Sequence, residues 1–406
     1  AAEAHASVAE ERRALAAARA RDAYQRLQRQ QGDRWRKRAS VTRRKGELWK
    51  PFSKRLVLAG IRISQGDNNS IAKSPTDMHD AILAHWGPIF ADKPVNIPDM
   101  NDYLDTVFSQ RPSVALELPN AEELQDAAKR AHDSAAGPDG LPYKAWTSTP
   151  RSFEILEELV ANIALNNIIP HDWNYALLAM LPKGDEPAGH SECYRSPDQL
   201  RPLAMKNTDV KIAASAVNRK LHPIVKQVSD IQRGFVPGRQ FLNNIVEADT
   251  YSRIYSTMDH AADYMPCFLS MDIAAAFPSL LHTWLWEVIR RWGIDGRVLR
   301  LLQSFYASPV AFLELGGVRR PLLVAASGVA QGCPLSGTIW ALVFDPILRG
   351  IQHHFSQIGR GMASACADDI GCVLGRLKDM EGLFPHAQAA QVHAGIRLQP
   401  RKCVLV

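Results

Sequence analysis

The most constraining feature of this sequence is a short apolar segment that two adjacent acidic residues interrupt. Residues 362–374 (MASACADDIGCVL) predict two buried strands, with Asp368 and Asp369 in the turn between them. Earlier in the chain, residues 266–273 (PCFLSMDI) predict another buried strand, and Asp272 lies near its end. A fold that buries these strands must therefore accommodate carboxylates at their ends.

Carboxylates in such positions need compensation. A buried carboxylate costs several kcal/mol when no cation accompanies it. If Asp272 and Asp368 lie side by side, a divalent ion must neutralise their repulsion, and oxygen ligands favour a hard ion such as Mg²⁺. Two metal ions about 3.5–4 Å apart are the arrangement that in-line phosphoryl transfer uses. The residues alone leave another interpretation open, because an Asp-Asp turn is usually only solvated.

The charge distribution indicates a polyanionic partner. The whole chain carries a net charge of +6, whereas residues 1–55 contain 16 Lys/Arg and 6 Asp/Glu, a net charge of +10. The basic excess is therefore confined to the N-terminal arm. Such a block is typical of nucleic-acid binding, although a solvated helix can have the same composition.

Composition excludes several classes of protein. The 46% hydrophobic and 22% charged residues are typical of a globular protein, and no run approaches the roughly 18 apolar residues of a membrane span. The first residues (AAEAHASVAEERRAL) lack the apolar core of a signal peptide. The six cysteines show no CxxC and no zinc-like spacing, which indicates reduced thiols. We expect an intracellular protein, in the nucleus and/or cytoplasm, without membrane association; its oligomeric state stays open.

The remaining segments alternate between predicted helices and short strands, with no internal repeat. Two helix starts have capping residues: Thr76 for a helix at 75–90, and Asn120 with Glu123 for the helix after Pro119. Further helices are predicted at 1–31, 152–166, 208–225, 279–292, from 335 and at 381–394; strands at 177–181, 310–315, 320–325 and 402–406; and a loop at 185–199.

Several segments resemble the motifs of reverse transcriptases and follow the order of that family. Residues 270–277 (SMDIAAAF) resemble motif A, and 328–336 (GVAQGCPLS) resemble motif B. Residues 366–369 (CADD) resemble motif C, and 395–403 (GIRLQPRKC) resemble motif D. The fingers signatures of non-LTR (LINE-type) retrotransposon enzymes are resembled by 137–140 (GPDG), 181–183 (LPK), 200–203 (LRPL), 207–208 (NT), 211–212 (KI) and 234–239 (GFVPGR). The resemblance covers roughly residues 75–406.

The resemblance implies an α+β fold, the fingers and palm of a right-hand polymerase, with an antiparallel palm sheet backed by helices. The implied domains are a basic helical N-terminal extension (1–65), a fingers region (66–262) and a palm with motifs A to D (263–406). Because the sequence ends just after motif D, we expect the thumb to be absent.

The resemblance also implies roles for individual residues. Asp272, Asp368 and Asp369 would hold two Mg²⁺ ions, and Lys402 would protonate the departing pyrophosphate. Substrate binding falls to five other residues: Lys183 and Arg201 against the triphosphate, Phe277 as a steric gate that leaves no room for a 2′-hydroxyl, and Gln331 and Gly332 beside the nascent base pair. Structural interpretations stay open, since Phe277 can pack the palm and Lys183 or Lys402 can be solvated.

The implied function is that of an RNA-directed DNA polymerase of a non-LTR retrotransposon. Its partners would be an RNA template, a DNA or RNA primer with a 3′-hydroxyl, and dNTPs. Two residues depart from the family pattern: Cys366 replaces an aromatic residue, and Pro278 stands where an acidic residue often occurs. The alternative is therefore a catalytically inactive RNA-binding protein of the same fold. A basic structural protein would explain residues 1–55 alone.

Overall fold

The computed structural model describes residues 57–65, 68–131, 134–149, 151–184, 192–257, 265–294 and 296–406. The predicted helix at 1–31 and most of the basic extension lie outside these ranges. The chain divides into two compact units, residues 1–57 with 186–193, and residues 58–185 with 194–406. The site described below lies entirely within the second unit, and the predicted domain boundaries remain predictions.

The described residues form a mixed α+β structure. The helices are α1 (Pro75–Phe90), α2 (Ile97–Val107), α3 (Ala121–Arg130), α4 (Tyr143–Thr147), α5 (Ser152–Asn166), α6 (Thr208–Val225), α7 (Leu242–Ser256), α8 (Ala276–Ser279), α9 (His282–Arg291), α10 (Gly296–Ser304), α11 (Ser336–Ile358) and α12 (Phe384–Ala394). The strands are β1 (Val57–Gln65), β2 (Asn68–Ala72), β3 (Ala176–Pro182), β4 (Glu192–Arg195), β5 (Leu200–Lys206), β6 (Cys267–Met271), β7 (Ile273–Ala274), β8 (Val310–Leu315), β9 (Val318–Val324), β10 (Met362–Cys366), β11 (Asp369–Leu374), β12 (Arg397–Leu398) and β13 (Val404–Leu405).

The sheet that carries the acidic residues is antiparallel and has the order β10-β11-β6-β13. In its register, Cys366 lies opposite Asp369, and Ile370 lies opposite Met271. Strand β6 ends at Met271, and the chain then enters β7, which pairs with β12 in a separate two-stranded sheet. Asp272 therefore lies at the same edge of the sheet as the turn between β10 and β11, as the sequence predicts.

A second four-stranded sheet has the order β5-β3-β8-β9, in which β3 and β8 are parallel and the other neighbours antiparallel. Alternate residues of β3 (Ala176, Leu178 and Met180) are buried, the period expected of a strand with one face on a core. Leu181 lies opposite Arg201, so the predicted 181–183 and 200–203 segments meet at one end of this sheet.

The main core is built around helices α6 and α11. Most residues of both helices are buried, and along α11 Trp340 stacks on Phe344 with ring centroids 5.2 Å apart. A smaller core lies between α1 and the second sheet, where Met78, Ile82 and Trp86 of α1 are buried. No helix within the described ranges combines the length and the apolar character required to cross a bilayer.

Several predicted elements are confirmed with their bounds, and others need correction. The helices at 75–90, 152–166 and 208–225 are confirmed, but α1 is capped by Ser74 and not by Thr76, since the Ser74 hydroxyl accepts from the Asp77 amide at 3.1 Å. The predicted loop at 185–199 contains β4 and a 3-10 turn.

Three other predicted elements are shorter than expected because a neighbouring turn interrupts them. The predicted 279–292 helix begins only at His282, because residues Ala276–Ser279 form the separate helix α8. The helix predicted at 381–394 is a 3-10 turn (Leu377–Leu383) followed by α12. The final strand is reduced to Val404–Leu405, since Pro400–Lys402 forms a 3-10 turn.

The predicted capping box at the start of α3 is confirmed, and it provides a test of the local energetics. The Asn120 side chain accepts from the Glu123 amide at 2.9 Å, and the Glu123 carboxylate accepts from the Asn120 amide at 3.1 Å. We expect Asn120→Ala to lower the free energy of unfolding by about 1 kcal/mol, measured by urea denaturation. The control Asn166→Ala removes an exposed amide that bonds to Asn162, and it should change stability by about 0.5 kcal/mol or less. Equal losses in both variants would contradict the capping role.

Candidate active site

A cleft of about 810 Å³ contains most of the residues that the sequence singles out. Its walls come from α1, from the ends of β3 and β5, from the segment between β6 and α8, and from the chain around β12. The predicted site residues that line it are Lys183, Arg201, Asp272, Phe277, Gln331, Asp368 and Lys402. Residues from six separate segments of the sequence are thus brought together in one space.

Asp272 lines this cleft, and its Oδ2 atom lies near a cation but accepts no hydrogen bond from the described residues. The side chain is 33% exposed, yet its Oδ2 atom is buried and has no hydrogen-bond partner among the described residues. The Lys402 ammonium lies 3.4 Å from Oδ2, within ion-pair range but without hydrogen-bond geometry. A buried acceptor without a donor costs about 1–3 kcal/mol, so this oxygen is suited to a cationic ligand.

Asp368 lies in the turn between β10 and β11, directly after Ala367, whose φ is +61°. Burial raises the pKa of the Asp368 carboxyl above its ordinary value. The negative charges of Asp369 and Asp272 raise this pKa further, whereas Arg201 lowers it. Asp272 and Asp368 are therefore close enough to repel each other, which again favours a cation between them.

Asp369 is placed differently from the other two predicted metal ligands. It is the first residue of β11, is exposed, and is not among the residues that line the cleft. Asp369 is nevertheless close enough to Asp368 for its negative charge to raise the pKa of the Asp368 carboxyl. Within the described ranges, no group of three or more His, Cys, Asp or Glu side chains is arranged to hold a metal ion. The structure thus gathers two of the three predicted carboxylates.

Phe277 is held in place by other aromatic rings at the wall of the cleft. It stacks on Trp340 with centroids 5.1 Å apart and an interplanar angle of 12°, and it meets the Phe235 ring edge-on at 5.8 Å. Ala275, two residues earlier, adopts a left-handed φ of +48° at the start of α8. The packing and the gating interpretations of Phe277 are compatible, since one face of the ring packs while the side chain still reaches the cleft.

Gln331 and Gly332 belong to the loop that precedes α11, and this loop packs on β5. The Gln331 carbonyl accepts from the Ala204 amide at 2.7 Å, and the Gln331 side-chain oxygen is buried without a partner in the described part of the chain. Gly332 has a φ of +102°, and a Cβ there would lie 2.9 Å from the Ala204 carbonyl oxygen. Gly332 does not line the cleft, so its observed role is to allow the loop to approach β5.

Three of the cations that line the cleft, Lys183, Arg201 and Lys402, lie near one another. The Lys183 ammonium donates to the Asp198 carbonyl at 2.9 Å, and Arg201 is exposed on the adjacent strand. Partial burial lowers the pKa of Lys183, and the charges of Lys402 and Arg201 lower it further. The positive charges of Lys402 and Arg201 therefore act on Lys183. A cleft that contains several cations is a favourable environment for a polyanionic ligand.

Sequence reasoning missed several residues that line the cleft. His85 and Lys93 come from α1 and the segment after it, and Arg397 comes from β12. The periodicity of α1 predicts its buried face, but nothing in the sequence indicates that His85 faces a functional cleft. Arg397 lies within the motif D segment, in which the resemblance to the family implies a role for Lys402 but not for Arg397.

Comparisons with known proteins identify the family of this chain. Residues 181–406 match the family model described as "Reverse transcriptase (RNA-dependent DNA polymerase)". An uncharacterized 149 kDa protein of transposon TX1 from Xenopus laevis is 25% identical over 325 residues, 76% of this chain and 24% of that protein. The Pol polyprotein of the type-2 retrotransposable element R2DM of Drosophila melanogaster is 24% identical over 284 residues, 69% of this chain and 25% of that protein.

Among solved structures, apo telomerase from Candida tropicalis, truncated from its C-terminal domain, matches with a TM-score of 0.44 and 10% identity. This match covers 65% of this chain and 62% of the telomerase chain. The chain itself spans about a quarter of the length of the two curated relatives named above. The family model covers more than half of this chain, including Asp272 and Asp368. The chain belongs to the reverse transcriptase (RNA-dependent DNA polymerase) family.

Proposed function

We propose that this chain is a working polymerase domain that extends the 3′-hydroxyl of a DNA or RNA primer with dNTPs, copying an RNA template. The observation that carries the proposal is that Asp272 and Asp368 line one cleft together with the cations Lys183, Arg201 and Lys402. Carboxylates and cations in one cleft suit a substrate that brings both a metal ion and a triphosphate.

The cleft fits a divalent metal, and we propose Mg²⁺. Its donors are carboxylate oxygens, which hard ions prefer, and the Oδ2 atom of Asp272 accepts no hydrogen bond from the described residues. Asp272 and Asp368 would hold the ion, and Asp369 as a further ligand of a two-ion site remains a prediction. When bound, such ions favour deprotonation of the primer hydroxyl and neutralise phosphate charge.

The chain's own residues would orient the nucleotide. Arg201 and Lys183 would bind the triphosphate, because a guanidinium presents paired donors to phosphate oxygens and an ammonium adds a point charge. Lys402, within ion-pair range of Asp272, would hold a proton beside the departing pyrophosphate. Phe277 would lie against the sugar and exclude a 2′-hydroxyl.

Arg201 offers a direct test of triphosphate binding. We expect Arg201→Ala to raise the KM for dNTP about tenfold with a smaller change in kcat, because charge-assisted hydrogen bonds to the phosphates are lost. Steady-state kinetics at varied dNTP concentration measure this. The control Arg320→Ala removes an exposed arginine of β9 that lies outside the cleft and bonds to Thr76. An equal rise in KM for both variants would contradict the assignment.

The function as a whole is tested by primer extension. The wild-type chain should extend oligo(dT) on poly(rA) with dTTP and Mg²⁺, and EDTA should stop the reaction. The proposal would be contradicted if the protein is folded, as measured by circular dichroism, and binds the primer–template but does not extend the primer. That result would favour the alternative of a catalytically inactive RNA-binding protein.

A further inference from the structure

The turn that carries Asp368 has a backbone conformation that needs support. Ala367 adopts a φ of +61°, in the left-handed region that non-glycine residues rarely occupy. The conformation of Ala367 sets the direction in which the next residue, Asp368, leaves the turn. Whatever stabilises the Ala367 backbone therefore also orients the carboxylate in the cleft.

The Gln232 side chain bonds to both backbone polar groups of Ala367, its amide and its carbonyl. Its Oε1 atom accepts from the Ala367 amide at 2.9 Å, and its Nε2 atom donates to the Ala367 carbonyl at 3.0 Å. The same oxygen also accepts from the Gly234 amide at 2.8 Å. Gln232 is fully buried, with 0% exposure, so these bonds are shielded from competition by water.

The backbone around Gln232 is attached to β10, which fixes where its side chain begins. The Ala365 amide donates to the Ile231 carbonyl at 2.7 Å, and the Arg233 amide donates to the Ala365 carbonyl at 2.8 Å. Gly234 lies against the turn so closely that a Cβ would meet the Ala367 nitrogen. Only glycine fits this position.

A second group of contacts supports the Gln232 segment from behind. The Arg239 guanidinium donates to the Gln232 carbonyl at 2.8 Å and to the Val228 carbonyl at 2.8 Å. Asn244, which is buried, donates to the Ala365 carbonyl at 3.0 Å and accepts from Arg233. The segment before α7 is thus a fixed support for the turn, and Gln232 is its contact with Ala367.

We propose that Gln232 is a positioning residue, which holds Ala367 in its left-handed conformation so that Asp368 faces the cleft. The effect on catalysis rests on the proposed polymerase function, whereas the effect on the turn does not. An amide is the side chain that meets both requirements, because a carboxylate of the same length accepts but does not donate, and a leucine does neither.

The test combines a structural and a kinetic measurement on three variants of the full chain. Gln232→Leu removes all three bonds at similar volume, and Gln232→Glu keeps an acceptor while losing the donor. The control Asn174→Leu removes a different buried amide, which donates to the Ser304 and Ala307 carbonyls. Hydrogen exchange at the Ala367 amide is followed by NMR, and kcat and the KM for dNTP are normalised to the folded fraction.

For Gln232→Leu we expect exchange at Ala367 to accelerate at least about tenfold, while the strand amide of Cys372 stays protected. We also expect kcat to fall about a hundredfold, with the KM for dNTP changed by about twofold or less. Gln232→Glu should lie between Gln232→Leu and the wild type in both measurements. Asn174→Leu should lower thermal stability but leave the Ala367 exchange and kcat near wild type.

Unchanged exchange at Ala367 in Gln232→Leu would overturn the proposal. So would a loss of kcat in Asn174→Leu equal to that in Gln232→Leu, since a general structural effect would then suffice. If the wild type itself extends no primer, the polymerase proposal fails, and exchange at Ala367 alone decides whether Gln232 holds the turn.

Discussion

Replacing Asp368 with Asn is expected to reduce the rate of primer extension by at least about a thousandfold. The substitution keeps the shape of the side chain but removes the charge that, with Asp272, would hold a divalent ion. Burial raises the pKa of Asp368, and the negative charges of Asp369 and Asp272 raise it further. A thousandfold loss corresponds to about 4 kcal/mol of transition-state stabilisation. Single-turnover extension with Mg²⁺, at saturating primer–template and dTTP, measures it.

Two matched variants sharpen this expectation. Asp249→Asn removes an exposed carboxylate on α7 that pairs with Arg253, and it should leave the rate unchanged. Asp369→Asn should cause a loss that is clearly smaller than that of Asp368→Asn, because Asp369 is exposed and lies outside the cleft lining. Extension by Asp368→Asn at the rate of Asp249→Asn would contradict the assigned role of Asp368.

Replacing Phe277 with Val is expected to raise the use of ribonucleotides relative to deoxyribonucleotides about a hundredfold. Trp340 and Phe235 fix the Phe277 ring, so the ring cannot turn away when a 2′-hydroxyl approaches. Valine removes the outer part of the ring and opens that space, and a change of this size in a pocket alters discrimination by about 10–200-fold. The measurement is the ratio of kcat/KM for UTP to that for dTTP on poly(rA).

The control for this experiment is Phe277→Tyr, which keeps the ring and should keep the selectivity near that of the wild type. A lower kcat/KM for dTTP in Phe277→Val is compatible with the gate, because the ring also packs on Trp340. If the UTP to dTTP ratio is unchanged in Phe277→Val, then Phe277 only packs against Trp340 and Phe235. Another residue would then exclude the 2′-hydroxyl.

The sheet that carries the acidic residues was the part of this fold most open to prediction from sequence. Apolar strands that end in acidic residues allow few arrangements, and residues 266–273 and 362–374 form the predicted antiparallel neighbours. The start of α3 was predictable because Asn120 and Glu123 form a recognisable capping box. At the ends of α9 and β13, local turns shorten the regular elements, and a periodicity cannot indicate such turns.

The site was only partly predictable, for a physical reason. Motif resemblance identifies residue types at sequence positions, but side-chain direction depends on backbone torsions such as the positive φ of Ala367. Asp369 was predicted as a ligand of the same metal site; it is exposed and outside the cleft lining, and its role as a ligand remains a prediction. Gln232 was missed because its role depends on a contact with Ala367, 135 residues away along the chain. Nothing in the local sequence around Gln232 signals that contact.

The most direct test of a shared metal site between Asp272 and Asp368 is a crystal structure of the wild-type chain with primer–template, a non-reactive dNTP analogue and Mn²⁺. Anomalous scattering would locate the ion. We expect a peak in the cleft within bonding distance of oxygens from both Asp272 and Asp368, and no such peak in Asp368→Asn crystals. Manganese bound elsewhere, or bound to only one of the two carboxylates, would contradict the central claim.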